Sequence, residues 1–193
     1  LMQPIVIAAY NGENVSVKGS KKIDTENAVI SDNVRIPDSA KGKVYEISLG
    51  FDTAPIESFD YTAPAKKYTN VLYDGKVQPL AKYPNDGWIK TSGIYDKNGT
   101  KLNTDSDTWD SIRQNENYVW LDFADSHIQN LQNAQNAWCE GYWYKYWTWE
   151  NTELLEVDSA SSRIKISVPE KGVIDTNRDF RIYNLLEELD SPG

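Results

Sequence analysis

The chain has 193 residues, of which 39% are hydrophobic and 25% are charged, so it can build a hydrophobic core and is not compositionally disordered. Its net charge of −9 would repel phosphate backbones and anionic lipids, which argues against nucleic acids and membrane surfaces as partners. No apolar run approaches the ~20 residues of a transmembrane helix. A single cysteine, Cys139, excludes an internal disulfide framework and a cysteine-based zinc site.

Most aromatic side chains of this sequence carry a polar group, since it has 12 Tyr and 7 Trp but only 4 Phe. Such rings suit half-wet sheet surfaces better than a dry helical core. Turn-forming residues such as Asn, Asp, Ser, Thr and Gly are frequent, and helix formers do not dominate. The composition therefore predicts an all-β fold.

The first predicted elements are two short strands around a turn. Residues 4–10 are an apolar run, residues 11–14 read Asn-Gly-Glu-Asn, and residues 15–19 alternate between apolar and polar. Brief strands of this kind are typical of a hairpin and equally of one rung of a parallel β-solenoid. The periodicity does not choose between these two structures.

Two further β elements are predicted before residue 90. Residues 43–49 alternate, which predicts a strand with one buried face. Residues 71–80 form the best hairpin of the sequence, because Asp74-Gly75 suits the positive φ angles of a type I′ turn. Residues 83–88 read as a turn that leads to Ile89.

In the second half of the chain, residues 95–108 are predicted as a loop and residues 126–137 as the only helix, capped by Asp125 or Ser126. The remaining β elements are short apolar or alternating runs. Strands are predicted at 118–123, 154–157, 163–168 and 180–183, with a turn at 158–162. Residues 184–193 contain no terminating element, and the chain opens with Leu1 rather than an initiator Met. Both ends favour a processed or excised piece of a longer protein.

Residues suited to catalysis do not form a pattern in this sequence. Glycoside hydrolysis needs two carboxylates roughly 5–9.5 Å apart, and no spacing of the acidic residues forces such a pair; capping, turn and surface roles are favoured for them. His127, the only histidine, is interpreted as an exposed helix residue, and Cys139 as buried and inert. Residues 96–99 lack the full spacing of a calcium loop. No catalytic residue, metal site or cofactor is predicted.

The aromatic run 142–149, Tyr-Trp-Tyr-Lys-Tyr-Trp-Thr-Trp, is the one feature with binding character. A Trp or Tyr ring can stack on the apolar face of a sugar while polar neighbours bind its hydroxyl groups. In an extended strand, Trp143, Trp147 and Trp149 would share one face, and Tyr142, Tyr144 and Tyr146 the other. One face must then be core, so a mainly structural role stays open. The carbohydrate-binding candidates are Trp143, Tyr144, Tyr146, Trp147 and Trp149.

Three stretches taken together carry a family resemblance. They are PIVIAAYNGENVSVKGSKKID at 4–24, LAKYPNDGW at 80–88, and a downstream set formed by WCEGYWYKYWTWENTELLEVD at 138–158 and FRIYNLLEELDSPG at 180–193. Their order and spacing resemble the N-terminal part of bacterial right-handed parallel β-helix proteins related to family-141 glycoside hydrolases. The similarity is looser at 20–70 and 95–115. At 146–149 this chain reads Tyr-Trp-Thr-Trp where related chains read Asp-Trp-Ala-Asp, so contacts of those acidic side chains do not carry over.

The resemblance implies a domain organisation and a setting. Residues 1–19 would belong to an early β-helix rung, residues 20–183 to an inserted sandwich or barrel-like β domain, and residues 184–193 to the return segment. The family acts on plant cell-wall glycans, and its catalytic carboxylates lie on the β-helix downstream. The implied protein is extracellular, either secreted or at the cell surface. It contacts a polysaccharide or oligosaccharide and packs this domain against that β-helix.

Three functions follow from these readings. The favoured one is a non-catalytic accessory domain that shapes or flanks the substrate groove. The alternative is an autonomous carbohydrate-binding module that uses segment 138–149, and the third is a complete small glycosidase or lyase. An inserted domain must also leave and rejoin its host at neighbouring points, so residues 15–19 are expected beside residues 180–186, with Ile5, Ile7, Val15 and Val17 incompletely buried.

Overall fold

The computed structural model describes residues 11–14, 19–52, 70–103, 106–147, 149–169 and 174–190. The strand predicted at 4–10 and nearly all of that at 15–19 lie outside the described residues. The expected proximity of residues 15–19 to residues 180–186 and the burial of Ile5, Ile7, Val15 and Val17 therefore stay predictions.

The described residues are mostly β-sheet with one short α-helix, which confirms the predicted all-β class. The helix, α1, spans Ser106–Asn115, and two 3₁₀ helices span Ser126–Leu131 and Leu186–Glu188. The strands are β1 (Val29–Ile30), β2 (Tyr45–Glu46), β3 (Leu72–Tyr73), β4 (Lys76–Val77), β5 (Lys82–Tyr83), β6 (Ile89–Lys90), β7 (Ile94–Tyr95), β8 (Tyr118–Asp122), β9 (Trp138–Gly141), β10 (Glu150–Asp158), β11 (Arg163–Ser167) and β12 (Asp179–Tyr183).

One eight-stranded sheet organises the domain, in the order β5-β12-β9-β10-β11-β8-β7, with β6 also paired to β12. All strand pairs among the described residues are antiparallel, so this part of the chain contains no parallel β-helix. Strand β10 pairs with β9 up to Glu153 and with β11 beyond it, and an irregularity between Leu154 and Glu156 separates the two ladders. Strand β10 therefore links the two halves of the sheet.

One face of this sheet forms the hydrophobic core. In β8 and β11, every second residue is buried, which places Val119, Leu121, Ile164 and Ile166 on that face. Each fully buried side chain of this size stabilises the fold by about 1.5–3 kcal/mol. The core continues into the other half of the sheet and beneath the helices, through Trp109, Ile112, Phe123, Ile128, Leu131, Cys139, Trp143, Phe180 and Ile182.

The positions of the helices differ from the sequence prediction. Helix α1 begins within the predicted loop 95–108 and continues to Asn115 through residues for which no element was predicted. Its only large apolar residues, Trp109 and Ile112, are both buried. The helix predicted at 126–137 is a 3₁₀ helix that ends at Leu131. Its buried residues, Ile128 and Leu131, are three positions apart, which matches the three residues per turn of a 3₁₀ helix. Asp125 caps it by accepting a hydrogen bond from the His127 amide, as predicted.

Several predicted β elements are confirmed, and one is wrong. Asp74 (φ 49°) and Gly75 (φ 73°) connect β3 and β4 in the type I′ manner that was expected. Strands β8, β10, β11 and β12 cover the four predicted between residues 118 and 183. In the strand predicted at 43–49, only Tyr45 and Glu46 are paired, and both are exposed. This segment therefore has no buried face, because it pairs only with the equally exposed β1.

Gly141 allows β9 and β12 to approach each other closely. A Cβ atom at this position would lie 2.7 Å from the Phe180 Cβ and 2.8 Å from the Asp179 carbonyl oxygen. We therefore expect Gly141→Ala to destabilise the protein by about 1–3 kcal/mol through overpacking, measured by urea denaturation. Gly19→Ala is the control, because nothing lies within 4 Å of its Cβ position. Equal stabilities of the two variants would contradict this account.

Candidate functional site

The aromatic run after β9 is not an extended strand, because residues 143–147 form bends and a turn. The expectation that Trp143 and Trp147 share one face is therefore wrong: Trp143 is 1% exposed and Trp147 is 76% exposed. The Trp143 ring stacks on Phe180 at a centroid distance of 5.5 Å, and its Nε1 donates a hydrogen bond of 3.1 Å to the Glu150 carbonyl. Trp143 anchors the loop in the core, where no ligand can reach its ring.

The same loop presents two tyrosines beside a tryptophan from a distant part of the chain. Tyr142 lies 5.8 Å from Trp88 and 5.7 Å from Tyr146, measured between ring centroids. Trp88 is 39% exposed, Tyr146 is 51% exposed, and Tyr142 between them is half-buried. We refer to Trp88, Tyr142 and Tyr146 as the ring row.

Three basic side chains lie along the ring row. The Arg181 guanidinium is 4.8 Å from the centroid of Trp88, and the Arg178 guanidinium is 5.3 Å from that of Tyr146. The Lys90 ammonium lies 3.5 Å from the Tyr146 hydroxyl. The two guanidinium groups lie at distances at which cations are attracted to the faces of aromatic rings. The ring row together with Lys90, Arg178 and Arg181 forms the ring surface.

Each basic group of the ring surface has a carboxylate partner. Lys90 contacts Asp179 at 2.5 Å, Arg178 contacts Asp175 at 2.9 Å, and Arg181 contacts the buried Glu140. The hydrogen bond to Asp179 raises the pKa of Lys90, which therefore stays protonated at neutral pH. The ring surface thus combines exposed rings with three ion pairs, which supply both hydrogen-bond donors and acceptors.

Strand register explains why these side chains share a face. Ile89 is opposite Phe180, and Lys90 is opposite Asp179. Phe180 is buried in the core, and successive side chains of a strand point to opposite faces. Lys90 on β6 and Asp179 and Arg181 on β12 therefore lie on the face away from the core. The Trp88 ring, which precedes β6, contacts Arg181 and so lies on the same face.

Backbone hydrogen bonds fasten the loop to the sheet. The Tyr142 amide donates to the Asp179 carbonyl at 2.8 Å, and the Asp175 amide donates to the Trp143 carbonyl at 2.7 Å. These bonds hold Tyr142 at the edge of β12, beside the turn that carries Arg178. The ring row therefore rests on paired backbone and on the buried Trp143.

The turn that carries Arg178 is held by a buried threonine. The Thr91 hydroxyl donates to the Asp175 carbonyl at 2.6 Å and accepts from the Arg178 amide at 2.9 Å. The Thr91 backbone also donates to the Arg178 carbonyl and accepts from the Asn177 amide. Four hydrogen bonds thus position the residues that flank Tyr146 on one side.

The structure separates the five aromatic candidates of the sequence analysis. Tyr146 belongs to the ring surface, and the exposed Trp147 follows it in the chain. Tyr144 and Trp149 are half-buried, and the Lys145 ammonium lies 4.3 Å from the Tyr144 ring centroid. Four residues of the ring surface lie outside the aromatic run that the sequence analysis singled out: Trp88, Lys90, Arg178 and Arg181. Tyr142 lies in that run but was not among the five candidates. The one sequence signal at Trp88 was its place at the end of the predicted turn 83–88.

A second group of aromatic rings, on β7, β8 and β11, is less exposed than the ring row. The Arg163 guanidinium lies 3.7 Å from the centroid of Tyr95, and the Lys165 ammonium lies 4.2 Å from that of Tyr118. Both rings, and that of Trp120 beside Lys165, are half-buried. Because these three rings are half-buried whereas Trp88 and Tyr146 are exposed, we place the candidate site at the ring surface.

His127 is not the exposed helix residue that was predicted. Its ring stacks on Tyr83 with 3.8 Å between centroids and 5° between planes, and its Nε2 lies 2.6 Å from Oε1 of Glu188. The Tyr83 hydroxyl in turn donates to Asp125. Each of the two stacked rings therefore contacts one carboxylate. These contacts connect β5 to both 3₁₀ helices.

Burial raises the pKa of Glu188 above its ordinary value, although the His127 contact acts in the opposite direction. A raised folded-state pKa means that the folded protein binds more protons than the unfolded chain between about pH 4.3 and the raised value. The contribution of Glu188 to stability therefore falls as the pH rises through this window.

We expect the stability of Glu188→Gln, measured by urea denaturation, to improve relative to the unsubstituted protein as the pH rises through that window. Asp38→Asn is a control of opposite sign, because hydrogen bonding to Lys41 lowers the pKa of Asp38. A pH-independent difference between Glu188→Gln and the parent would contradict this expectation.

Other kinds of site were sought in the described part of the chain. There, no three His, Cys, Asp or Glu side chains are placed to hold a metal ion. None of the described helices is long and apolar enough to cross a membrane. Cys139 is buried as predicted, and burial raises the pKa of its thiol, which keeps it protonated.

Comparison with models of known protein families, with curated proteins and with solved structures found no match. The resemblance to family-141 β-helix proteins therefore stays a prediction from the sequence.

Proposed function

We propose that this chain is a non-catalytic domain that binds glycans through the ring surface. The observation that carries the proposal is the ring row, in which Trp88, Tyr142 and Tyr146 lie side by side with two of the three rings exposed. Contiguous exposed apolar surface on a folded domain is typical of an interaction site.

The chemistry of the ring surface suits sugars better than other ligands. A pyranose ring has apolar C–H faces and a rim of hydroxyl groups that both donate and accept hydrogen bonds. The faces can stack on the rings, and the hydroxyl groups can bind Lys90, Arg178, Arg181 and their carboxylate partners. Hydrogen bonds to such charged groups are stronger than neutral ones.

The resemblance to family-141 proteins supports a broader proposal for the parent protein. In it, residues 20–183 are an inserted sandwich or barrel-like domain between a β-helix rung at 1–19 and a return segment at 184–193. This domain would flank the substrate groove of a secreted polysaccharide-acting β-helix and hold the glycan beside it. An autonomous carbohydrate-binding module would use the same ring surface.

Affinity electrophoresis in gels containing soluble cell-wall glycans tests the proposal. We expect retardation of the unsubstituted protein and at least about tenfold weaker binding for Trp88→Ala and Tyr146→Ala, which corresponds to about 1.4 kcal/mol for each lost ring. Tyr73→Ala is the matched control, because Tyr73 is an exposed ring on the separate β3–β4 hairpin.

Two outcomes would count against glycan binding at the ring surface. The first is the absence of retardation by every glycan tested. The second is retardation of Trp88→Ala and Tyr146→Ala to the same extent as the unsubstituted protein, which would move any binding to another surface. Release of reducing ends by the purified chain would instead support the enzyme that the sequence analysis ranked last.

A further inference from the structure

We infer that the ring surface selects single, neutral glycan chains over polyuronates and over crystalline glycan surfaces. The inference rests on the proposed glycan-binding function and adds the class of ligand to it. Two independent observations carry it: the charge balance of the ring surface and the angles between the rings.

The charge balance opposes an acidic ligand. Lys90, Arg178 and Arg181 are the cations of the ring surface, and each already contacts a carboxylate of the chain. A polyuronate would have to displace these carboxylates and would then leave them without their partners. It would also approach a chain of net charge −9, so the long-range field repels it.

A neutral sugar meets no such penalty. Its hydroxyl groups can accept hydrogen bonds from the ammonium and guanidinium groups and donate to the carboxylates at the same time. The ion pairs therefore stay intact while the sugar binds. Arg178 and Asp175 illustrate this arrangement, because both remain partly exposed beside Tyr146.

The angles between the rings decide between a single chain and a flat surface. The plane of Tyr142 is tilted by 59° from that of Trp88 and by 47° from that of Tyr146. A crystalline surface presents parallel sugar faces, so it could not lie flat on Tyr142 and on either neighbouring ring at the same time. A single chain can rotate about its glycosidic bonds and turn successive sugars towards successive rings.

The spacing of the ring row fits the same ligand. Neighbouring centroids are 5.8 and 5.7 Å apart, which is comparable to the length of one sugar residue in an extended chain. Each ring can therefore meet its own sugar.

The experiment tests the binding of four ligands by the whole chain at low ionic strength, where electrostatic attraction is least screened. Gels contain arabinoxylan, xyloglucan or polygalacturonate, and crystalline cellulose is tested by sedimentation. We expect retardation by at least one of the two neutral glycans, none by polygalacturonate, and no depletion by cellulose. Tyr146→Ala should weaken the binding by about tenfold, and Tyr73→Ala should not.

Asp179→Asn tests the charge argument directly, because it removes the partner of Lys90 with little change of shape. We expect this variant to be retarded by polygalacturonate, and the retardation to disappear at high salt. Polygalacturonate retarding the unsubstituted protein as strongly as a neutral glycan, or equal depletion by cellulose, would overturn the inference and leave glycan binding in place. Absence of binding to every ligand would overturn both proposals.

Discussion

Replacement of Trp143 by alanine is expected to lower the free energy of unfolding by about 3–5 kcal/mol, the usual cost of truncating a buried Trp. The ring is 1% exposed, stacks on Phe180 and donates a hydrogen bond to the Glu150 carbonyl, so truncation both leaves a cavity and removes a buried hydrogen bond. Urea denaturation followed by tryptophan fluorescence measures the loss.

Trp147→Ala is the matched comparison within the same loop. The Trp147 ring is 76% exposed, so its removal should change the free energy of unfolding by no more than about 0.5 kcal/mol. A large effect of both substitutions would mean that the two rings share a buried face after all. That result would restore the extended strand of the sequence analysis and contradict the loop described here.

Replacement of Arg35 by methionine is expected to cost about 3–5 kcal/mol, because it leaves the buried carboxylate of Glu187 without its cation. The guanidinium contacts both Glu187 oxygens, at 2.6 Å from Nε and 2.9 Å from Nη2, and the two side chains are 12% and 5% exposed. This pair ties the segment before β2 to the second 3₁₀ helix.

A double substitution distinguishes two quantities: the cost of leaving the Glu187 carboxylate buried without its cation, and the contribution of the intact ion pair to the free energy of unfolding. Arg35→Met combined with Glu187→Leu should recover most of the lost stability, since apolar replacements of buried ion pairs are often neutral. Lys41→Met is the control, because its pair with Asp38 is exposed and exposed pairs contribute about 0–1 kcal/mol. Equal losses for Arg35→Met and the double variant would contradict the argument.

Elements decided by short stretches of chain were predictable from the sequence. The Asp74-Gly75 hairpin needs only two residues with positive φ, and both have it. Strand β11 alternates strictly between the core and the opposite face, so its pattern alone locates it and its inward residues. The Asp125 cap is equally local, because its acceptor reaches the amide two residues ahead.

Helix α1 was missed because its local signals are weak. Its sequence, SDTWDSIRQN, contains only Trp109 and Ile112 as large apolar residues, and its Ser, Asp and Asn side chains favour caps and turns. Burial of those two residues in the core is a tertiary effect that outweighs the local preference. Strand β2 is the opposite case: its alternating pattern predicts a buried face, but no core packs against it and both of its residues are exposed.

The sequence by itself determined the β class, the turn chemistry, most central strands and the presence of an aromatic segment after β9. Only the tertiary structure decided which rings are open to ligand. Trp88 meets Tyr142, which in turn contacts Tyr146, because β6 and β9 both pair with β12. Trp143 is removed from the surface by packing on Phe180. The physical reason is that side-chain exposure depends on contacts between residues far apart in the chain, which period and composition do not encode.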